Sequence, residues 1–349
     1  MPDVDPALEG LSPSEKRETK RQAKEEVLQR ETTELYTVTA AELLAAATDK
    51  PDFLVEDAIP ASAITFLAGD KGERKSWLVY DLALAVARGR PWLCFPHTAK
   101  GNVLILNYDN PTGELGRRFM RMGLTAKDRV RLHSLGINSR RKIPKDLPSL
   151  LTLPTGDVAI QRIIGYLEPS LIIFDSLRRG HLLNENSSED MAQLMSIFRS
   201  WTARGAALVI LHHMPKGPRN DEDRFYTLRG AGELEGSADA VAFVAGGTIW
   251  WEKARTWVQK TKECSFRVCD DDDAETTWVE TVDRFAPLRE VLAAGPMLKR
   301  DVIEALQRHH VDGRFTREEI FSRALELGMV AETRDSKGTR RVSWKAGKK

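Results

Sequence analysis

Ile64-Thr65-Phe66-Leu67-Ala68 followed by Gly69-Asp70-Lys71-Gly72-Glu73-Arg74-Lys75-Ser76 is the stretch that decides the fold. An apolar run of strand length passes into a glycine-containing loop and then into Lys-Ser at the start of a helical segment. That order is the order of a phosphate-binding P-loop, G-x-x-x-x-G-K-[ST], with one departure: Arg74 stands where the pattern has its second glycine. Backbone N–H groups of such a loop converge on a phosphate at a helix N-terminus, where unsatisfied donors and the helix dipole attract anions. Lys75 then supplies a point charge to the β- and γ-phosphates, and the Ser76 hydroxyl a ligand for Mg²⁺. Residues 69–76 are the candidate nucleotide cradle, and a purely structural loop is the competing reading.

Outward from the loop the pattern alternates. Apolar runs of strand length lie at 64–68, 103–108, 171–174 and 207–211, with helical stretches at 75–88, 112–122, 157–168 and 188–204. Buried strands alternating with helices predict an α/β fold with a parallel sheet covered on both faces. Beyond residue 240 the texture changes to short strands carrying Trp250, Trp251, Trp257 and Trp278. The acidic run from Asp270 to Asp273 between two of them reads as a hairpin turn in preference to a cation site.

The ends of the apolar runs carry the candidate chemistry. A P-loop requires a carboxylate at the end of a strand, expected next to the P-loop strand, and Leu171-Ile172-Ile173-Phe174-Asp175 supplies it, Asp175 holding Mg²⁺ through its water shell. Asp109, after 103–108, is placed to orient and deprotonate an attacking water; a helix N-cap before Pro111-Thr112 is the equal alternative. His212-His213 close 207–211. Adjacent strand residues point to opposite sides, so a shared metal is disfavoured and a polar sensor near the γ-phosphate preferred, against a structural hydrogen-bonded pair.

The chain of 349 residues is 42% hydrophobic and carries a net charge of +1, enough for one full core and a small second domain. A near-neutral balance confines any nucleic-acid surface to a local patch. Cys94, Cys264 and Cys269 have no metal-ligand spacing and are too few for a disulfide framework, which suits a reducing cytosol. With no signal peptide and no apolar run near the roughly 20 residues of a membrane helix, the expectation is a cytoplasmic protein without a membrane partner.

Three segments emerge: a charged helical extension at 1–50, an ATPase-type core at 51–283 and a C-terminal module at 284–349. Ser12-Pro13-Ser14-Glu15 and Thr39-Ala40-Ala41-Glu42 have the form of capping boxes. An extended linker through Pro60 leads to the P-loop strand. The last segment reads as three short helices and a hairpin turning at Asp335-Ser336-Lys337-Gly338, a winged helix-turn-helix. It holds 15 Lys/Arg and 9 Asp/Glu, concentrated on the third helix (Arg314, Arg317, Arg323) and the wing (Arg334, Lys337, Arg340, Arg341, Lys345). Arg317, Arg323, Lys337, Arg340 and Arg341 stand where a DNA-binding version needs them; a protein-docking module is the alternative.

Gly69 to Ser76, Asn107-Tyr108-Asp109, Phe174-Asp175-Ser176-Leu177-Arg178-Arg179, His212-His213-Met214-Pro215-Lys216 and Leu228-Arg229-Gly230-Ala231-Gly232 occur in that order. Together they resemble the RepA-like branch of the RecA/DnaB superfamily of P-loop ATPases, found in plasmid and phage replication proteins, over roughly residues 50–265. The resemblance implies a RecA-like core with ATP and Mg²⁺ at subunit interfaces of a homo-oligomeric ring, usually a hexamer. Lys75 and Ser76 match its Walker A pair, Asp175 its Walker B carboxylate, Asp109 its catalytic carboxylate, and His213 its γ-phosphate sensor with His212 as the fallback. The segment 214–228, with Lys216, Arg219 and Arg224, matches the loop facing single-stranded DNA in the channel, where phosphate contacts give sequence-independent binding.

Three positions depart from the family pattern. Arg74 adds a side chain to the cradle, accommodated if it points to solvent. Asp109 replaces a glutamate and reaches less far. The trans-acting Lys-x-Arg is matched by Lys260-Thr261-Lys262, and Lys262 lacks an arginine's bidentate contact. Two functions follow: an ATP-driven, helicase-like replication ATPase, or a nucleotide-responsive DNA-binding initiation factor with little turnover.

Overall fold

The computed structural model describes scattered positions between 12 and 24, then 38–46, 52–125, 127–128, 131–135, 152–214, 228, 232–255, 263–306, 317–334 and 340–345. The chain divides into two compact units, Met1–Lys50 and Pro51–Lys349. In the first, both capping boxes form. Ser12 and Glu15 exchange bonds through Ser12 N to Glu15 Oε2 (2.8 Å) and Glu15 N to Ser12 Oγ (3.4 Å). Thr39 and Glu42 do the same at 2.6 and 3.2 Å and open the helix Ala40–Ala46.

The second unit begins with an antiparallel ribbon, β1 (Phe53–Val55) and β2 (Ile59–Pro60), in place of the expected linker. A nine-stranded sheet follows, made of β3 (Ile64–Gly69), β4 (Val103–Asn107), β5 (Leu132–Leu135), β6 (Leu171–Asp175), β7 (Ala207–His213), β8 (Ala240–Ala245), β9 (Thr248–Ala254), β10 (Glu263–Asp271) and β11 (Thr276–Thr281). Its order is β11-β10-β9-β8-β3-β7-β6-β4-β5. Neighbours from β8 to β5 run parallel, and β8 to β11 run antiparallel.

The α/β fold is as expected, but the strand ending in Asp175 does not lie next to the P-loop strand. β7 intervenes, so two strand spacings, about 9–10 Å, separate β6 from β3. The acidic run is a turn: β10 and β11 form a hairpin closing after Asp271, and Arg121 reaches Asp272 at 3.2 Å.

Strand alternation sends residues to two cores. Leu67, Leu171 and Ile173 join the core under the helix Lys75–Arg88, while Phe66, Ala68, Ile172 and Phe174 join the one under Asp157–Leu167 and Ser188–Thr202. Lys75–Arg88 is rich in Ala, Leu and Val and buried on nearly every side, so it sits flush beneath the sheet. It stops at Gly89, whose left-handed φ of 69° lets its N–H close on the Ala85 carbonyl at 2.7 Å. On the other face Phe174, Phe198 and Trp201 pack with ring centroids 5.3–6.2 Å apart. Buried Asp239 accepts from the Ile64 amide (2.8 Å) and from Arg199 of Ser188–Thr202, fixing where β3 begins.

After β11 come the helices Ala286–Leu292, Lys299–Leu306 and Arg317–Glu326, with β12 (Met297–Leu298), β13 (Val330–Arg334) and β14 (Arg340–Trp344). The strands form a separate sheet in the order β12-β14-β13. Leu288, Leu306, Ile320, Phe321 and Val342 fill a core of its own. β12 was not expected from sequence, because two residues are too few to show a period. Thr316 and the turn at 335–338 lie outside the described residues.

Candidate functional site

The C-terminal ends of β3, β7, β6 and β4 open on a cleft of 340 Å³ lined by Lys75, Ser76, Asp109, Asp175, His212 and His213, with Lys71, Gly72 and Arg74 along the loop. Residues spread over more than 130 positions of sequence therefore meet at one place. That place is where parallel sheets present ligand sites.

Several contacts shape the loop. A Cβ on Gly69 would stand 2.4 Å from the Val244 carbonyl oxygen, so only glycine fits beneath β8. Arg74 holds φ 60°, ψ 23°, the left-handed conformation that explains why the motif has glycine here. Its side chain does not simply point to solvent: Nη1 donates to the Val268 carbonyl of β10 at 2.7 Å. Glu73 Oε2 accepts from the Gly246 amide in the β8–β9 turn at 2.8 Å. The loop is thus fastened at consecutive residues to the antiparallel strands.

Lys75 is buried at the first helical turn, and its Nζ donates to the Gly69 and Asp70 carbonyls, both at 2.8 Å. Burial lowers its pKa to about 8, against the opposing influence of Glu73, Asp70 and Asp175. The ammonium is poised under the cradle.

Asp175 is almost wholly buried. Tyr80, on the helix Lys75–Arg88, donates its hydroxyl to Asp175 Oδ2 at 2.7 Å, and Asn110 reaches the same hydroxyl at 3.4 Å. Burial raises the Asp175 pKa, opposed by the hydrogen bonds from Tyr80 and Ser76 and reinforced by the charge of Asp109. A carboxylate so desolvated, beside a serine hydroxyl, gains from a hard cation.

Asp109 is half exposed and paired with Arg179, Nε to Oδ1 at 2.7 Å. The Asp-Ser-Leu-Arg-Arg segment thereby restrains the carboxylate expected to handle water. His212 is buried with its ring 6.1 Å from that of Phe66, edge to face; His213 closes β7 opposite Gly69.

Tyr80 and Arg118 join the site without having been expected there from sequence. Tyr80 is the lone hydroxyl-bearing residue on an apolar stretch of helix. Arg118, on the helix Thr112–Arg121, lines the cleft with its guanidinium 5.5 Å from the Trp77 ring and Nε 3.3 Å from Glu114. In sequence, Glu114 with Arg117 and Arg118 looks like an ordinary surface ion-pair ladder.

Lys216, Arg219, Arg224, Lys262 and Lys337 lie outside the described residues. Arg323, expected to meet DNA, is about one-third exposed and paired: it holds Glu263 of β10 at 2.7 Å and Glu326 at 2.7 Å, and Arg284 holds the other Glu263 oxygen. Glu263 is the reason, a buried carboxylate that needs cationic partners. Arg340 is largely exposed, 3.9 Å from Glu332, and Arg341 is exposed on β14. Arg317 is half buried. Among the described residues no helix is long and apolar enough to cross a membrane.

Among solved structures, a KaiC-like protein from the hyperthermophilic archaeon Pyrococcus horikoshii OT3 is similar over 66% of this chain and 96% of its own, at 14% identity and a TM-score of 0.44. The AAA domain family matches residues 29–219, more than half of the sequence. With a P-loop, a buried acidic strand end and that match, the chain belongs to the AAA domain family of nucleotide-binding ATPases.

Proposed function

We propose that this chain is a DNA-associated ATPase of the RepA-like replication type, working as a homo-oligomeric ring, with a C-terminal winged helix. The observation that carries the reading is the convergence of Lys75, Ser76, Asp109, Asp175 and His213 on one cleft at the strand ends.

ATP and Mg²⁺ fit the donors present. The buried Asp175 and the Ser76 hydroxyl would hold the ion, which when bound neutralises phosphate charge during transfer. Lys75 exchanges its two backbone carbonyls for phosphate oxygens. Asp109, released from Arg179, accepts the proton of the attacking water. His213, opposite Gly69, is the polar contact at the far side of the cradle. Arg118 adds a cation from the chain's own helix, a compensation for the lysine at position 262.

DNA association is supported by the excess of cations after residue 284 and by exposed Arg340 and Arg341 on a hairpin. The element order helix, short strand, two helices and hairpin is that of a winged helix. A second reading, a nucleotide-switched initiation factor with slow turnover, is favoured by the Asp109–Arg179 pair and the fastened Arg74.

ATP hydrolysis measured with and without single-stranded DNA, beside solution mass with and without a non-hydrolysable analogue, separates the two. The first reading expects nucleotide-dependent growth to a ring and DNA-stimulated turnover. A monomer whose turnover ignores DNA overturns it, and duplex binding retained in that monomer establishes the second.

A further inference from the structure

Cys94 and Cys264 are 170 positions apart in sequence, yet the Cys94 amide lies 3.3 Å from the Cys264 sulfur. The approach is built in. Trp92 and Phe95 close a tight turn through reciprocal backbone bonds of 3.1 and 2.9 Å. Their rings stack with centroids 5.9 Å apart, and Phe95 packs edge-on against Trp251 at 5.3 Å. Both aromatic rings are buried, so the turn is anchored on each side of Cys94. Cys94 itself is exposed, whereas Cys264 is buried in β10. Position 94 is open to solvent and position 264 lies beneath it.

We propose that Cys94 and Cys264 are a reversible dithiol–disulfide couple, closed by hydroperoxides, that fastens the 92–95 turn to β10. The Cys94 thiolate attacks one peroxide oxygen; the O–O bond breaks, the sulfur becomes a sulfenic acid, and the departing hydroxide is protonated to water. The Cys264 sulfur then attacks the Cys94 sulfur. The S–S bond forms as the S–O bond breaks, and the leaving hydroxide takes the Cys264 proton as a second water. Two thiols and one peroxide give one disulfide and two waters. In the reduced pair, contact with the Cys94 thiol and burial raise the Cys264 pKa, so the exposed Cys94 attacks first; once Cys94 is oxidised the contact with its thiol is gone, and Cys264 gives its proton to the leaving hydroxide as it resolves.

The position of the couple gives it consequence. Cys264 and Val268 share one face of β10, and the Val268 carbonyl holds Arg74 of the P-loop. Glu263, which gathers Arg284 and Arg323, precedes Cys264 directly.

The test treats the full-length protein with hydrogen peroxide and reads intact mass and digested peptides. The expected result is a loss of about 2 Da, a peptide joining Cys94 to Cys264, and reversal by dithiothreitol. Oxidation should also raise the melting midpoint by roughly 5 °C, because the bridge closes a long loop. Cys269→Ser leaves all of this unchanged. Cys94→Ser abolishes it, and Cys264→Ser leaves a Cys94 sulfenic acid that dimedone labels. The wild-type peptide map alone is decisive if a variant fails to fold. A cross-link through Cys269, a cross-link between chains, direct passage of Cys94 to sulfinic acid, or an unchanged midpoint overturns the proposal.

Discussion

The parallel and antiparallel halves of the sheet meet the P-loop with different atoms. From the parallel side come side chains: Asp109 after β4, Asp175 ending β6, and His212 and His213 ending β7. From the other side come backbone groups: the Val244 carbonyl over Gly69, on β8 where the sheet changes from parallel to antiparallel, and from the antiparallel strands the Gly246 amide on Glu73 and the Val268 carbonyl on Arg74. Reactive groups and loop conformation therefore have separate sources. Substitutions on one side should change chemistry at constant stability, and on the other stability with modest change in chemistry.

The largest effect belongs to Lys75→Ala. Among the described residues Nζ bonds only the Gly69 and Asp70 carbonyls, so its removal leaves the cores intact and takes away the cation under the phosphates. Turnover should fall on the order of 100-fold or more, measured by phosphate release, with the melting midpoint unchanged or raised as a desolvated charge disappears. A lowered midpoint would show that the loop depends on Lys75 for its shape and would break the division. Asp109→Asn comes next: turnover lower by about 100-fold, nucleotide affinity within about threefold. Loss of affinity equal to the loss of turnover would make Asp109 a binding group instead.

A pH series tests the same cleft without mutation. The Lys75 pKa near 8 belongs to the protein without bound anion. A polyphosphate favours the ammonium and pushes the value back up, so binding above pH 8 takes up a proton. Affinity should be flat up to about pH 7, be roughly halved by pH 8 and then fall, approaching tenfold per unit, in a calorimetric or fluorescence titration. For folding the sign is opposite. Between pH 8 and the unfolded value of 10.5 the unfolded chain holds more protons, so this residue's contribution to stability rises with pH. Lys75→Ala should abolish both trends.

The parallel half was legible because each strand is a run of buried apolar residues and each ends in a polar one. The expected runs at 64–68, 103–108, 171–174 and 207–211 match β3, β4, β6 and β7 to within two residues at each end. What the residues could not reveal was strand order, since inserting β7 between β3 and β6 leaves no local trace. Tyr80 was hidden because a tyrosine in an apolar helix reads as core, and its bond to Asp175 spans 95 positions. The antiparallel half was nearly mute, as a carbonyl that holds a loop has no residue signature. Arg323 shows the same limit: its charge was visible, whereas Glu263, which claims it, lies 60 positions away.

Arg74 stands at the boundary between the two halves, and a pair of substitutions there gives the smallest and sharpest test. Arg74→Ala keeps the left-handed φ of 60°, a cost of about 1 kcal/mol for any residue with a Cβ, and loses the bond to the Val268 carbonyl, worth about 1 kcal/mol more. Arg74→Gly loses the same bond but removes the conformational cost, so its effects nearly cancel. The glycine variant should therefore melt roughly 2–4 °C above the alanine variant and close to the wild type by differential scanning calorimetry. It should also turn over ATP a few-fold faster, since its loop is no longer tied to β10 and meets phosphate without a side chain. If alanine melts as high as glycine, the backbone at position 74 is not held left-handed in solution, and the antiparallel strands do not set the conformation of the cradle.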